Sequence, residues 1–247
     1  MRESVYAVDA RLERSHWWYV GRRKLFARFI ERLSIDRGSP VLDVGTSTGT
    51  NLRLLQDLGF ADVTGLDFSE EAIRFCAEKG FANVRRGDVT AMPFADGSFS
   101  LVLATDVIEH VDDDLGALRE MARVLRPGHS AVITVPAFPS LWGFQDEVAQ
   151  HKRRYRMDRL VALVRAAGLE PRERFYFNYL LFAPIWLARR LMRFWKHSHR
   201  SESEMTGPVA NQVLSLVFGL DILTAPRVSP PFGVSILVLA HKPARPG

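Results

Sequence analysis

The 247 residues include a single cysteine, Cys76. One thiol closes no intramolecular disulfide, so the fold has no disulfide framework, and a reducing compartment suits it. No apolar run approaches the roughly 18 residues that a membrane-spanning helix needs. The longest candidate, "YLLFAPIWLA" (179–188), is short and carries a proline. The start, "MRESVYAVDARLERSHWW", lacks the apolar core of a secretion signal. Internal repeats and low-complexity tracts are absent as well. These absences lead to the expectation of a cytoplasmic globular chain, built as one large domain or as a domain with a small lid.

Glycine is scarce where a dinucleotide loop needs it. In "VLDVGTSTGT" (41–50) the three glycine positions of G-x-G-x-x-G fall on Gly45, Ser47 and Thr50, so two of three fail. Asp43, ahead of the loop, repels a pyrophosphate and suits a ligand with a positive end. A net acidic balance is also missing, since the net charge is +5. The basic excess gathers in "ERSHWWYVGRRKLFARF", "HKRRYRMDR" (151–159) and "ARRLMRFWKHSHR" (188–200). Such patches can meet nucleic acid, anionic lipid or an acidic substrate. For any one of them, a solvated basic surface is the simpler explanation.

Strand and helix patterns alternate between residues 40 and 136. Strands are expected at 40–45, 62–67, 83–88, 99–106 and 129–136, and helices at 49–59, 69–80 and 113–125. Ser69 followed by Glu70 and Glu71 is a helix start, and Gly80 a helix end. This rhythm implies parallel strands with right-handed crossovers, and "LVLA" and "AVITV" are apolar on both faces as buried parallel strands require. After Pro136 comes a strandless aromatic and polar stretch, then an amphipathic helix at 156–168. "EPRERFYFN" and "GVSILVLAHK" read as two further strands, separated by helical patterns between 179 and about 226. The expected organisation is a helical lid over 1–39 and a main domain over 40–247. Within the main domain lie a cofactor half (40–136), a substrate-pocket insertion (about 137–160) and a helical insertion (about 179–226).

In an open parallel sheet, ligands gather at the carboxyl ends of the strands. "VLDVGTSTGTNL" resembles motif I of the class I S-adenosylmethionine-dependent methyltransferases, usually Asp/Glu-x-Gly-x-Gly-x-Gly. "VTGLDFSEEAI" is similar to motif II, "VRRGDVTAMPF" to the adenine-binding stretch, and "FSLVLATDVIEHVDD" to motif IV of the small-molecule branch. "EMARVLRPGHSAVITVP" resembles the run into the fifth strand. The resemblance implies an α/β, doubly wound, Rossmann-like sheet of about seven strands, mostly parallel with the last antiparallel, plus helical lid elements. It implies S-adenosyl-L-methionine as cofactor, with Asp67 on the ribose hydroxyls and Asp88 on the adenine amino group. Asp43, Gly45, Ser47, Gly49, Phe68, Val89 and Thr105 complete the implied site. Ser47 replaces the usual middle glycine, and is expected to shift the loop slightly or to add a hydrogen bond. His129 replaces the second glycine of Pro-Gly-Gly, with little effect expected. One acid ending a strand is an ordinary cap or turn residue; three acids ending successive parallel strands favour a shared site.

Methyl transfer from a sulfonium needs alignment and water exclusion, and a base only where the nucleophile is protonated. The family's His-Trp/Phe-Trp-Phe-x-x-Arg lid is matched by Trp17, Trp18, Tyr19 and Arg22. The alternative is a helix packing its aromatics on the sheet, and one helix can do both. Glu109 and His110 follow the fourth strand, so His110 is a candidate base, or a residue that only orients the loop. His151 and Tyr155 in "QHKRRY" are candidates in the acceptor pocket, or parts of a basic solvated loop. No metal site is expected. Cys76 sits mid-helix, which counts against pyrimidine C5 methylation, and "TDVI" in place of Asn/Asp-Pro-Pro-Tyr/Phe counts against methylation of exocyclic base amines. Residues 177–200 carry aromatics and leucines beside Arg189, Arg190, Arg193 and Lys196. They suit a membrane-surface contact, a lid or a homodimer contact. The expected function is O-, N- or C-methylation of a small, apolar or aromatic-bearing acceptor. The alternatives are a membrane-peripheral enzyme with a lipid-like acceptor, an RNA methyltransferase, and a non-catalytic scaffold. No nucleic-acid partner is expected.

Overall fold

Short β-branched and leucine-rich runs set the frame. The computed structural model describes residues 3–192 and 207–244. β1 (Val41–Val44), β2 (Val63–Asp67), β3 (Val84–Arg86), β4 (Phe99–Thr105), β5 (Leu125–Pro136), β6 (Glu170–Phe177) and β7 (Ser235–His241) form one sheet, ordered β3-β2-β1-β4-β5-β7-β6. β1 to β5 pair in parallel, while β7 runs antiparallel to both β5 and β6. The doubly wound sheet with an antiparallel last strand is therefore present. Strand order reverses between β2-β1 and β4, which puts the topological switch point at the carboxyl ends of β1 and β4.

The expected elements differ at their ends. α3 (Thr50–Asp57), α4 (Glu70–Glu78), α5 (Asp114–Val124) and α7 (Met157–Ala166) lie within the expected helices. The Ser69 hydroxyl accepts a hydrogen bond from the Ala72 amide, and Glu70 and Glu71 occupy the first turn of α4. β5 starts earlier than expected: Leu125 pairs with Phe99 across a register shift, so "LRPG" is drawn into the strand. The segment after β5 holds a short helix, α6 (Phe144–Val148), and a bridge between Ala137 and Tyr155.

Each face of the sheet is covered. One core layer joins it to α5 and α7 through Leu118, Met121, Leu160 and Val164. The other joins it to α2 (Trp17–Arg32) and α9 (Pro208–Val228) through Leu25, Phe29, Phe218 and Ile222. α1 (Glu3–Leu12) precedes α2, and α8 (Phe182–Met192) follows β6. Arg193, Lys196 and most of "SHRSESEMTG" lie outside the described residues.

α9 corrects one expectation. It spans 21 residues and contains an 18-residue window with a mean hydropathy of 1.4, long and apolar enough by length and composition to cross a membrane. Scattered Asn211, Asp221 and Thr224 hide this in a search for unbroken apolar runs. All three are engaged within the domain: Asn211 with Trp17 and Ser15, Asp221 with the β6–α8 turn, and Thr224 with Tyr179.

α9 approaches α2 closely at Gly21, where an added Cβ would lie 2.2 Å from the Phe218 ring. Phe218 is fully buried and cannot swing away. Gly21→Ala is expected to cost about 1–3 kcal/mol through overpacking and to lower the melting temperature by roughly 5 °C. An unchanged melting curve contradicts this packing.

Candidate functional site

One cavity of about 1180 Å³ opens over the carboxyl ends of β1, β2 and β4. Its floor is the β1–α3 loop. Gly45 has φ +71°, and a Cβ there would meet Val107 at 2.7 Å, so only glycine fits. Ser47 keeps the left-handed conformation usual for glycine, with φ 49°, a strained value for a side chain-bearing residue. Its amide donates to Asp67 Oδ2 at 2.9 Å, and the Ser69 amide donates to Oδ1 at 2.9 Å. Asp67 thus clamps the loop to the end of β2. Burial raises its pKa, against the pull of these amides.

The other predicted residues fall into two groups. Gly45, Ser47, Phe68, Asp88, Val89 and Thr105 all line the cavity with Asp67. Phe68 is 69% exposed, an open ring at the rim. Asp88 Oδ1 accepts from the Thr90 amide (2.8 Å) and hydroxyl (2.7 Å), which fixes the carboxylate. Gly49 and Asp43 are not on the wall. Gly49 begins α3 with φ 82°, and a Cβ there would meet the Phe81 ring at 2.8 Å. Asp43 lies beneath the loop and is fully buried. Its Oδ1 accepts from Asn51 Nδ2 at 3.1 Å, the same amide group that donates to Thr105 Oγ1 at 2.9 Å, while Oδ2 has no partner.

Burial drives the Asp43 pKa from 3.8 up to about 8; Asn51 opposes the rise and Asp67 adds to it. The folded protein therefore holds this proton longer than the unfolded chain does. The associated stability is complete below pH 3.8 and is lost as pH rises toward about 8. Asp43→Asn removes that loss. Its cofactor-free melting temperature is expected to exceed the wild type's by about 2–4 °C near pH 8, with the gap narrowing toward pH 5. Parallel melting profiles across this range contradict a protonated Asp43.

The N-terminal helices close one side. Trp18 stacks on Phe218 (5.3 Å) and Phe177 (6.0 Å) and also lines the cavity, so it packs on the sheet and walls the site at once. Arg22 pairs with Asp106 at 2.7 Å and donates to Thr134 Oγ1 at 3.4 Å. Glu13 binds Thr48 Oγ1 (2.5 Å), Thr50 Oγ1 (2.9 Å) and Lys79 Nζ (2.6 Å), tying the N-terminal segment to the β1–α3 loop.

At the inner end Glu109, His110 and His151 converge, with one ligand atom from each lying within 4.8 Å of the others. The His110 and His151 rings meet edge to face at 4.8 Å. His151 Nδ1 binds Asp146 Oδ1 at 2.8 Å, and a His110 nitrogen bonds the Gln150 backbone. Burial, with His151 nearby, lowers the His110 pKa to about 4, so its imidazole is neutral at physiological pH. Glu109 is fully buried, and burial and the charge of Asp106 push its carboxyl well above the usual range. For Asp146, burial alone would raise the pKa, but His151, Arg154 and the Gly143 amide outweigh it and hold the group at about 2.

Tyr155 does not reach the cavity. It is fully buried, and its hydroxyl donates to Asp114 Oδ2 at 3.0 Å and lies 3.3 Å from the Ile108 carbonyl. The Ala137 bridge turns it into the core, which removes it from the candidate catalytic set. Sequence reasoning missed Glu13, Asp106 and Asp146. No motif marks them; only Asp146, three residues into a helix after Gly143, carries a local capping signal.

With this geometry in place, residues 42–133 match the family described as "Methyltransferase domain". The chain is 34% identical over 128 residues to the O-methyltransferase rstn1 of Aspergillus nomiae, covering 49% of this chain and 57% of that protein. It is 35% identical over 128 residues to demethylmenaquinone methyltransferase of Staphylococcus aureus, covering 49% and 53%. The matches thus span about half the length of these curated relatives. A chain from the complex of the Haloferax volcanii Trm112 methyltransferase activator with a methyltransferase shares the fold, with a TM-score of 0.64, 19% identity and coverage of 98% of this chain and 97% of that one.

Proposed function

The chain belongs to the class I S-adenosylmethionine-dependent methyltransferases, and from that premise we propose that it methylates a small, apolar or aromatic-bearing acceptor. The observation that carries this reading is the meeting, in one cavity, of the strand-end acids Asp67 and Asp88 with the His110–His151 pair. The residues fit an adenosyl sulfonium. The floor at Gly45 has no room for a Cβ, Phe68 offers an open ring, and Asp43 keeps a buried oxygen unpartnered beneath the loop.

S-adenosylmethionine, when bound, supplies an already activated methyl group. In this reading Asp67 takes the ribose hydroxyls, and Asp88 with Val89 borders the adenine. The β1–α3 loop, supported from beneath by Asp43, borders the positive end. Trp18, Arg22 and Asp106 close one side against water. His110 and His151, each with one ring nitrogen tied to a protein acceptor, present the other to the acceptor's nucleophilic atom and receive its proton.

The test is transfer of a labelled methyl group to a panel of phenols, carboxylates and amines. Label is expected in at least one apolar member, with about 100-fold loss of rate in His110→Ala. Cofactor binding with no transfer to any acceptor would instead favour the scaffold.

A lipid-like acceptor is the second reading. It is favoured by the exposed apolar residues of α8 and α9, among them Leu187, Leu191, Val209 and Leu216, and by the relative named for demethylmenaquinone. Co-sedimentation with anionic vesicles tests it. Binding that Leu187→Glu and Leu216→Glu abolish supports it, and no binding removes it.

A further inference from the structure

We propose that Glu109, His110 and His151 form a binding site for one divalent transition-metal ion, whose open positions face the cavity and take oxygen donors from the acceptor.

The donor set is the first ground. Two imidazoles and a carboxylate, with one ligand atom each, lie within 4.8 Å of one another. This composition suits first-row ions such as Zn²⁺, Fe²⁺ or Co²⁺, and leaves positions for exogenous ligands.

The supporting shell is the second. A metal-ligating histidine usually donates its other N–H to a carboxylate or carbonyl, which fixes the tautomer. His151 Nδ1 meets the buried Asp146 carboxylate at 2.8 Å, which leaves Nε2 for the ion. One His110 nitrogen bonds the Gln150 backbone, which leaves the other. Gln150 holds a left-handed φ of 57°, and the Lys152 amide donates to the Glu109 carbonyl at 2.8 Å. The loop that carries His151 is thus fixed against the turn that carries Glu109 and His110.

The third ground is charge. Glu109 is fully buried, and neither carboxylate oxygen has a hydrogen-bond partner. A buried carboxyl without partners is costly. The charges of Arg22 and Arg154 favour its ionised form, yet each guanidinium also pairs with another carboxylate, Arg22 with Asp106 at 2.7 Å and Arg154 with Asp146 at 2.8 Å. A bound cation gives the carboxylate its missing partner. His110 and His151 line the cavity and Glu109 lies just behind them, so an ion held by all three faces the space assigned to the acceptor.

The metal site stands on its own geometry. Its oxygen-bearing ligand rests on the proposed function and deepens it: with the free nitrogens of His110 and His151 taken up by an ion, they no longer receive the proton, and the ion instead lowers the pKa of the bound acceptor hydroxyl, whose proton leaves to solvent.

The test is titration of the metal-stripped full chain with Co²⁺. The expected result is one ion per chain with visible ligand-field bands, displaced by Zn²⁺ and not by Mg²⁺. Glu109→Gln and His110→Asn are each expected to weaken binding roughly 100-fold, while melting curves and S-adenosylhomocysteine binding stay at wild-type values. Catechol, as an oxygen-donor probe, is expected to shift the bands. Absent bands, or affinity unchanged in both variants, overturns the site. Bands that catechol leaves unmoved overturn the acceptor ligand alone. Co²⁺ binding without any S-adenosylhomocysteine binding would defeat the functional reading and leave the metal site intact.

Discussion

Asp67→Ala is expected to weaken S-adenosylmethionine binding by at least about 100-fold, equivalent to roughly 2.8 kcal/mol. Two losses combine. The carboxylate that would accept the ribose hydroxyls disappears. The Ser47 and Ser69 amides, held at 2.9 Å each, lose their shared acceptor. Ser47 has a strained left-handed φ, and without the clamp the loop is free to relax away from the cofactor's path. Hydrogen bonds to a charged group contribute about 1.5–3 kcal/mol each, so the expected loss is modest against the contacts removed. Asp67→Asn separates the effects: it keeps one acceptor oxygen and loses the charge, and an intermediate loss of roughly 10-fold is expected. Calorimetry on both variants checks the order. A loss below about threefold in Asp67→Ala contradicts the assignment.

The second large effect is on stability. Asp221 lies in α9, yet its carboxylate caps the turn between β6 and α8. Oδ1 accepts from the Asn178 amide at 2.7 Å, and Oδ2 from the Tyr179 and Leu180 amides at 2.6 and 2.9 Å. The residue is fully buried, so its removal leaves three amides without their acceptor. Asp221→Ala is expected to cost about 3–5 kcal/mol and to lower the melting temperature by roughly 10 °C. The damage extends to the cavity, because α8 carries Ile185 and Arg189 on its wall. A drop of less than roughly 3 °C shows that another group takes over those amides.

The sheet was legible because its strands carry their own signals. Apolar runs such as "LVLA" and "AVITV" can only be buried, and Asp67 marks where β2 stops. Ser69 announced α4 because an N-cap is a local device. The side chains that meet across long sequence distances were not legible. Glu13 reaches Thr48 and Lys79, and Asp106 reaches Arg22, through pairings that no local pattern encodes. Depth is equally hidden: Asp43 and Asp67 look equivalent in sequence, yet one lies beneath the loop and the other on the wall. Tyr155 shares its motif with His151, but the bridge to Ala137 turns Tyr155 into the core, while the bond to Asp146 holds His151 at the cavity. Gly21 was unremarkable until Phe218 was found against it.

The central claim is that this cavity is a cofactor site. The most direct measurement is an equilibrium titration of the wild-type chain with S-adenosylmethionine, followed by displacement with S-adenosylhomocysteine. Saturable binding of one molecule per chain, reversed by the competitor, is the predicted result. No saturable binding up to about 1 mM, a weak affinity of roughly −4 kcal/mol, would contradict it.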